Sequence, residues 1–185
     1  MKTLAFYKPQ RVVGVFLFLL TIYLVIKKKK SFFGLKPLAP LRLKKTITSL
    51  GASFVKLAQV LATRSDFFDA EYLSELKELH DQLPAMKQKE FERVYERAFT
   101  KDSFAAFDTT PIASASIGQV HIARTHSGEK VAVKLRRESI QAQVNADIKI
   151  ISAFNTLFTP LFSDQTKNSI EAVVGEFTKM IREEV

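Results

Sequence analysis

The most apolar stretch of the chain lies near its N-terminus and reads VVGVFLFLLTIYLVI, from Val12 to Ile26. As a helix rising 1.5 Å per residue, this stretch is about 22 Å long, against ~30 Å for the hydrocarbon core of a bilayer. The flanking side chains of Arg11 and Lys27–Lys30 could extend its reach towards the lipid headgroups. The pattern predicts an apolar helix that spans a membrane, lies at its interface, or packs inside the protein. If the helix spans, the lysine run favours a cytoplasmic C-terminal side.

The next segment, residues 31–42, contains one glycine and two prolines and is interpreted as a linker. Beyond it, apolar residues recur at alternating spacings of four and three from Leu43 to Leu61, which predicts a single amphipathic helix. Asp69 is a candidate N-cap for a second helix that ends at Pro84. A third, shorter helix is predicted from Gln88 to Phe99.

The pattern changes to β-branched residues from Ile117 to Thr125 and from Lys130 to Leu135, on either side of a Ser127-Gly128 turn. These features are typical of a β-hairpin. Helical periodicity returns from Ile140 to Phe158 and from Asn168 to Val185. The chain is therefore predicted to be an α+β protein. Its predicted divisions are a membrane-associated or transmembrane segment (1–30), a linker (31–42), a helical extension (43–110) and a hairpin-containing domain (111–185).

Composition changes this picture mainly through charge. Residues 1–50 contain 11 lysines and arginines and no acidic residue, whereas the rest of the chain has 17 basic and 19 acidic residues. Because the basic excess surrounds the apolar stretch, an anionic membrane surface is favoured over nucleic acid as its partner. The chain has no cysteine, which excludes disulfides and thiolate metal sites. The histidines are widely spaced and predict no metal site, and His121 is expected on the surface of the hairpin.

The hairpin carries the candidate chemistry. In protein kinases, a loop of small residues lets backbone N–H groups approach the ATP phosphates, and a lysine on a following strand binds those phosphates. Here the small residues are Ala113, Ser114, Ala115, Ser116 and Gly118, and the strand lysine is Lys134 in VAVK. The loop lacks the usual G-x-G-x-x-G pattern, and a lysine on an alternating strand is by itself a weak signal.

Three separated segments strengthen the hypothesis. The stretch PIASASIGQVHIARTHSGEKVAVKLRRESI resembles the alanine-rich loop and VAVK strand of the UbiB/AarF-type atypical kinases, a family of coenzyme Q biosynthesis kinase-like proteins. Upstream, GASFVKLAQVLATRSDFF is similar to the K-x-G-Q helix of that family, and LKELHDQLPAM to its leucine-rich helix. Together these motifs cover roughly residues 43–140, in the order that the family has them.

The resemblance implies an incomplete protein-kinase-like N-lobe, made of the hairpin and an αC-like helix, behind a K-x-G-Q-like helix. It implies that Ala113–Ser116 and Lys134 bind ATP with Mg²⁺, and that Lys56 and Gln59 gate the site with Glu184. It further implies a cytoplasmic-face location (the inner membrane in a bacterium) and a role in quinone or isoprenoid-lipid metabolism. The implied partners are membrane lipids, quinone-biosynthesis proteins or a chain that bears a C-lobe.

The sequence departs from the family pattern in three ways. The glycine of K-x-G-Q is Ala58, and the Arg-Pro-Gly that follows VAVK is Arg137-Glu138-Ser139. The chain contains no D-F-G, and its one His-Asp pair precedes the hairpin, so the catalytic-loop and magnesium-binding residues are absent. Its last residues, IREEV, resemble the start of an E-x-D motif with Glu184 as the glutamate. We therefore expect no phosphoryl transfer from these residues alone; the alternative function is an inactive, truncated pseudokinase or membrane-tethered scaffold.

Overall fold

The computed structural model describes residues 9–79 and 84–185. Its contacts divide the chain into two compact units, one formed by residues 1–80 with 141–184 and the other by residues 81–140 with Val185. The elements of the first unit are α1 (Pro9–Ile26), α2 (Pro40–Leu50), α3 (Ala52–Leu61), α4 (Ala70–Lys77), α6 (Ile140–Phe158) and α7 (Asp164–Glu184). Those of the second unit are α5 (Gln88–Ala98), β1 (Ala106–Phe107), β2 (Ala113–Ser114), β3 (Gly118–Arg124) and β4 (Lys130–Arg136). The mixture of helices with a small antiparallel sheet confirms the α+β class.

Helix α1 is apolar and long enough to cross a membrane, with a mean hydropathy of 1.9. In the structure one face of it is buried within the first unit, where Phe18 meets Phe54 of α3 edge-on at a ring-centroid distance of 5.4 Å. Arg11 of α1 forms a 2.6 Å ion pair with Asp147 of α6, whose side chain is fully buried. These contacts show that one face of α1 packs inside the first unit, whereas Val12, Val13 and Phe16 of the same helix are exposed.

The prediction of one continuous helix from Leu43 to Leu61 is wrong at Gly51. This residue has φ +91°, in the region that favours glycine, and it separates α2 from α3. The apolar residues on both sides of it are nevertheless buried, so the spacing identified the core face correctly. Asp69 is the N-cap residue of α4, but its side chain makes no capping hydrogen bond. The prediction that this helix ends at Pro84 is wrong, because α4 ends at Lys77 with Glu78 as its C-cap and Leu79 is no longer helical.

The sheet of the second unit is built around β3. The predicted hairpin is confirmed: β3 pairs with β4 antiparallel from Gly118↔Arg136 to Arg124↔Lys130. The sequence did not predict two short strands, which also pair antiparallel with β3. Strand β1 pairs with the C-terminal end of β3, and β2 pairs near the N-terminal end of β3. Each of these strands has two residues, which is too short to show the alternation of apolar and polar positions by which a strand is recognised in a sequence. Helix α5 packs on one face of this sheet through Phe91, which shares a core with Leu135 of β4.

Candidate functional site

The alanine-rich segment is partly strand and partly turn. Ala113 and Ser114 form β2, and the turn that follows is closed by the N–H of Ala115, which donates to the carbonyl of Gly118 at 2.7 Å. Ser116 in this turn is fully buried, and its hydroxyl has no hydrogen-bond partner among the described residues. At Gly118 a Cβ atom would lie 2.4 Å from the carbonyl oxygen of Leu135. Only glycine therefore allows β4 to approach the end of this turn so closely.

Strand register brings the alanine-rich segment and the candidate lysine onto one face of the sheet. Ala113 pairs with Val120, and Val120 pairs with Lys134 on its other side. Directly paired residues of antiparallel strands have side chains on the same face, so these three residues form a row across β2, β3 and β4. Lys134 is exposed, and it makes no ion pair with the residues that the structure describes. This face therefore presents an available cation beside a turn of small residues.

The opposite face of the sheet is a buried polar and aromatic layer that supports β3. The backbone N–H of Met86 donates to Gln119 Oε1 at 2.7 Å, and Gln119 Nε2 lies 2.8 Å from His121 Nε2. His121 Nδ1 lies 2.9 Å from the carbonyl of Asp108, so Nδ1 carries the proton and Nε2 accepts from Gln119. His121 is fully buried and stacks on Phe91 at 4.9 Å. The expectation that His121 lies on the surface is wrong, since it fixes the strand from beneath.

Arg137 is a residue of this site that the sequence analysis did not identify. Its guanidinium donates to the carbonyl of Ala115 at 3.1 and 3.3 Å, to Ser114 Oγ at 3.2 Å and to the carbonyl of Pro84 at 2.6 Å. Partial burial lowers the pKa of Arg137, and Glu90 opposes this effect. Arg137 thus ties the exit of β4 to the alanine-rich segment. Its position directly after VAVKLR was the available signal, but a basic residue at a strand end does not reveal its partners.

The residues that replace Pro-Gly of the family pattern have structural roles. Glu138 accepts hydrogen bonds from Arg93 Nη2 at 2.8 Å and Arg97 Nη2 at 3.3 Å, both on α5. Ser139 has φ +58°, a left-handed conformation that glycine adopts more easily. The strand exit therefore keeps the backbone conformation suited to glycine, and an ion-pair cluster occupies the place of the proline.

The three residues that the resemblance assigns to a gate lie in the first unit. Lys56 on α3 forms a 2.8 Å ion pair with Glu184 at the end of α7, and Lys56 is 8% exposed. Gln59, one turn further along α3, donates to the carbonyl of Leu79 at 3.4 Å. Ala58, which takes the place of the family's glycine, lies between them and is fully buried, so its methyl group packs in the core. The fold thus brings together Lys56 and Glu184, which are 128 positions apart in the chain. Gln59 instead bonds to the backbone of Leu79.

The groups suited to a nucleotide are the backbone of the alanine-rich turn and the ammonium of Lys134, which fit phosphate oxygens. Ranges 9–79 and 84–185 hold no cluster of three or more His, Asp or Glu side chains that could bind a metal ion.

The class of protein is established by comparison with known families. The ABC1 atypical kinase-like domain matches residues 78–185, more than half of the chain. The chain therefore belongs to the ABC1 atypical kinase-like family, and the family resemblance found in the sequence is confirmed.

Two known proteins illustrate the similarity. The uncharacterized protein sll1770 of Synechocystis sp. is 36% identical over 119 residues, which cover 63% of this chain and 20% of that protein. The solved complex of Rv3197 with erythromycin from Mycobacterium tuberculosis is 27% identical with a TM-score of 0.40, covering 74% of this chain and 36% of that chain. A TM-score at this level supports no structural argument. The chain thus spans about a fifth of the curated relative's length.

Proposed function

We propose that this chain is the N-terminal part of a membrane-associated, UbiB-like atypical kinase or ATPase that binds MgATP. In this proposal the protein acts at the cytoplasmic face of a membrane in support of quinone or isoprenoid-lipid metabolism. Family membership supports a kinase-like ATPase, and the resemblance of the K-x-G-Q-like and alanine-rich segments supports the narrower assignment. The proposed partners are membrane lipids and quinone-biosynthesis proteins, or a chain that supplies a C-lobe.

The observation that carries the proposal is the row Ala113–Val120–Lys134 across three strands. With neighbouring strands about 4.8 Å apart, the alanine-rich segment lies roughly 10 Å from the backbone of Lys134. An extended lysine side chain can reach a phosphate held near the turn across that distance. In this proposal backbone N–H groups of the turn cover the phosphates, and Lys134 neutralises their charge from the sheet.

The Lys56–Glu184 ion pair supports a separate role for α3. It fastens the middle of α3 to the end of α7 through a lysine that is largely withdrawn from water. A pair of this kind is costly to leave half-formed, so it stabilises one arrangement of the two helices. We propose that Lys56, Gln59 and Glu184 form the element of the family that controls access to the nucleotide.

The test is stabilisation by nucleotide in the protein at its natural length. Saturating MgATP, at about 100 times its Kd, should raise the free energy of unfolding by roughly 2.7 kcal/mol. Lys134→Ala should abolish the corresponding rise in Tm, because the phosphates lose their cation. Lys130→Ala is the matched control: Lys130 lies on the same strand and the same face, at the far end of the register.

A rise in Tm that survives Lys134→Ala would remove this lysine from the site. If MgATP stabilises neither the wild type nor the variants, nucleotide binding itself is refuted, and the scaffold function becomes the better account. The intact mass of the protein isolated from its own cells establishes which length to use for this measurement.

A further inference from the structure

A tight turn at residues 32–35 projects an aromatic side chain from the first unit; we call it the Phe33 turn. The N–H of Phe32 donates to the carbonyl of Leu35 at 2.8 Å, and the N–H of Leu35 donates back at 2.9 Å. Between them Phe33 has φ +47° and Gly34 has φ +79°. A bulky residue rarely adopts a left-handed backbone conformation, yet Phe33 does so, and Phe33 is 92% exposed.

The base of the turn is firmly held, although its tip is exposed. Phe32 packs edge-on against Tyr23 of α1 at 6.1 Å, within a cluster that includes Phe158 and Phe162. The ring of Phe33 touches only the edge of Phe32, at 4.7 Å, among the aromatic rings of the described residues. The turn is therefore a rigid support that holds an apolar tip in water, where it gains nothing for folding.

Lysines flank this turn in the chain. Lys28, Lys29, Lys30 and Lys36 are exposed, and residues 27–36 contain no acidic residue. On the neighbouring surface, Asp66 and Asp69 line the same depression as the first three lysines. Asp66 is already paired with Arg64 at 2.6 Å, so of the two carboxylates that line this depression, Asp69 is the one left to offset these lysines. The surface around the Phe33 turn is thus positively charged.

We infer that the Phe33 turn is the membrane contact of this protein, with Phe33 and Leu35 inserted among the lipids of an anionic bilayer. The lysines bind the lipid phosphates around it. An exposed aromatic tip gains free energy on entering an apolar medium, and each lysine beside an anionic surface adds attraction. A free phosphate ion would use the lysines but leave Phe33 in water, so a bilayer fits both features.

The inference rests on the proposed membrane association but not on ATP binding, and it gives α1 no spanning role. In it, α1 remains packed in the first unit through the Arg11–Asp147 ion pair and serves as the platform for the turn. Membrane binding then depends on residues 28–36, which lie outside the apolar stretch that the sequence first suggests as the anchor.

The first experiment uses the fact that the chain contains no tryptophan. Phe33→Trp in the 185-residue chain introduces a single indole at the tip, and Ile112→Trp places one at another exposed apolar position as the control. With vesicles of phosphatidylcholine and phosphatidylserine, the emission of the first variant should shift to the blue and be quenched by brominated lipids. The emission of the control should stay unchanged.

The second experiment measures vesicle sedimentation with unlabelled variants. Phe33→Ala should weaken partitioning roughly tenfold, as expected for removing one inserted aromatic side chain. Changing Lys28, Lys29, Lys30 and Lys36 together to glutamine should weaken it roughly a thousandfold. The matched control changes four exposed lysines of the second unit to glutamine and should retain most of the binding: Lys87, Lys89, Lys101 and Lys130.

The outcomes separate the two proposals. If the wild type sediments with anionic vesicles but neither Phe33 variant differs from its control, the turn is not the contact, while membrane association stands. If the wild type binds no vesicle, membrane association itself is refuted. Equal binding to vesicles of phosphatidylcholine alone would overturn the role of the lysines. A blue shift that depends on protein concentration without vesicles would identify a second copy of the chain as the occupant.

Discussion

Replacing Arg11 by methionine should destabilise the protein strongly, because it leaves the carboxylate of Asp147 buried without its cation. The pair joins α1 to α6 at 2.6 Å, and the Asp147 side chain has no exposed surface. The same guanidinium donates to the carbonyl of Leu50 at 2.6 Å, so this hydrogen bond is lost as well. Removing one partner of a buried ion pair costs about 3–5 kcal/mol of unfolding free energy.

The loss should depend on pH in a defined direction. Burial raises the pKa of Asp147, and Arg11 opposes that rise, so Arg11→Met should raise this pKa further. An acid whose folded-state pKa exceeds its unfolded-state value, near 3.8, binds more protons in the folded state. Its contribution to stability therefore falls as pH rises through the window between the two values. The deficit of Arg11→Met should be largest at neutral pH and shrink under mildly acidic conditions.

The assay is urea unfolding followed by circular dichroism at neutral and mildly acidic pH. Arg42→Met, at an exposed arginine of α2, is the control for loss of one positive charge. The double variant Arg11→Met/Asp147→Leu should recover most of the lost stability, because two apolar side chains can replace a buried pair. If Arg11→Met unfolds within about 0.5 kcal/mol of the wild type, like an ordinary surface substitution, α1 is not held by this ion pair.

Two further predictions concern the second unit. Gly118→Ala should lower the free energy of unfolding by about 1–3 kcal/mol, because the added Cβ would overlap the carbonyl of Leu135. The control Gly175→Ala has open space around it and should not destabilise α7. Equal Tm values for the two variants would show that β4 can shift to make room for the methyl group. Hydrogen bonds from Arg93 lower the pKa of Glu138, and Arg97 adds a smaller effect in the same direction. The ionised carboxylate therefore stabilises the folded state at pH values above its unfolded-state pKa, near 4.5. This stabilisation is lost as the pH falls through the folded-state pKa. The stability difference between wild type and Glu138→Gln should therefore diminish in acid, and a difference that is constant with pH would contradict the pairing.

Elements with a strong local pattern could be predicted from the sequence. The hairpin with its Ser127-Gly128 turn, and the bounds of α5 and α6, depend on periodicity and turn residues within each segment, and they agree with the structure to within one or two residues. The break at Gly51 was missed because the apolar spacing continues through it, although the glycine itself was the available signal. The start of α7, four residues before the predicted Asn168, lies in a polar stretch without apolar periodicity.

Candidate nucleotide-binding residues could be identified from the sequence where residue type and order are enough, as in the alanine-rich segment and Lys134. The partners of other polar residues could not be found in this way. Arg137 and Ala115 are 22 positions apart, and Arg11 and Asp147 are 136 positions apart. Such pairs exist only because the folded backbone brings their elements together, and the residues near each member in the chain do not identify the other.

By itself the sequence determined the family, the α+β class, the small-residue turn before the VAVK strand and the concentration of positive charge in the first 50 residues. These properties depend on residue identity and on spacing over short stretches. Only the tertiary structure decided that α1 packs against α3 and α6, that Lys56 meets Glu184, and that Phe33 stands outside the core. The physical reason is that lipid and protein interior are both apolar. The sequence of an apolar helix is equally compatible with either, and only the folded structure shows which of its residues contact protein, as Arg11 contacts Asp147.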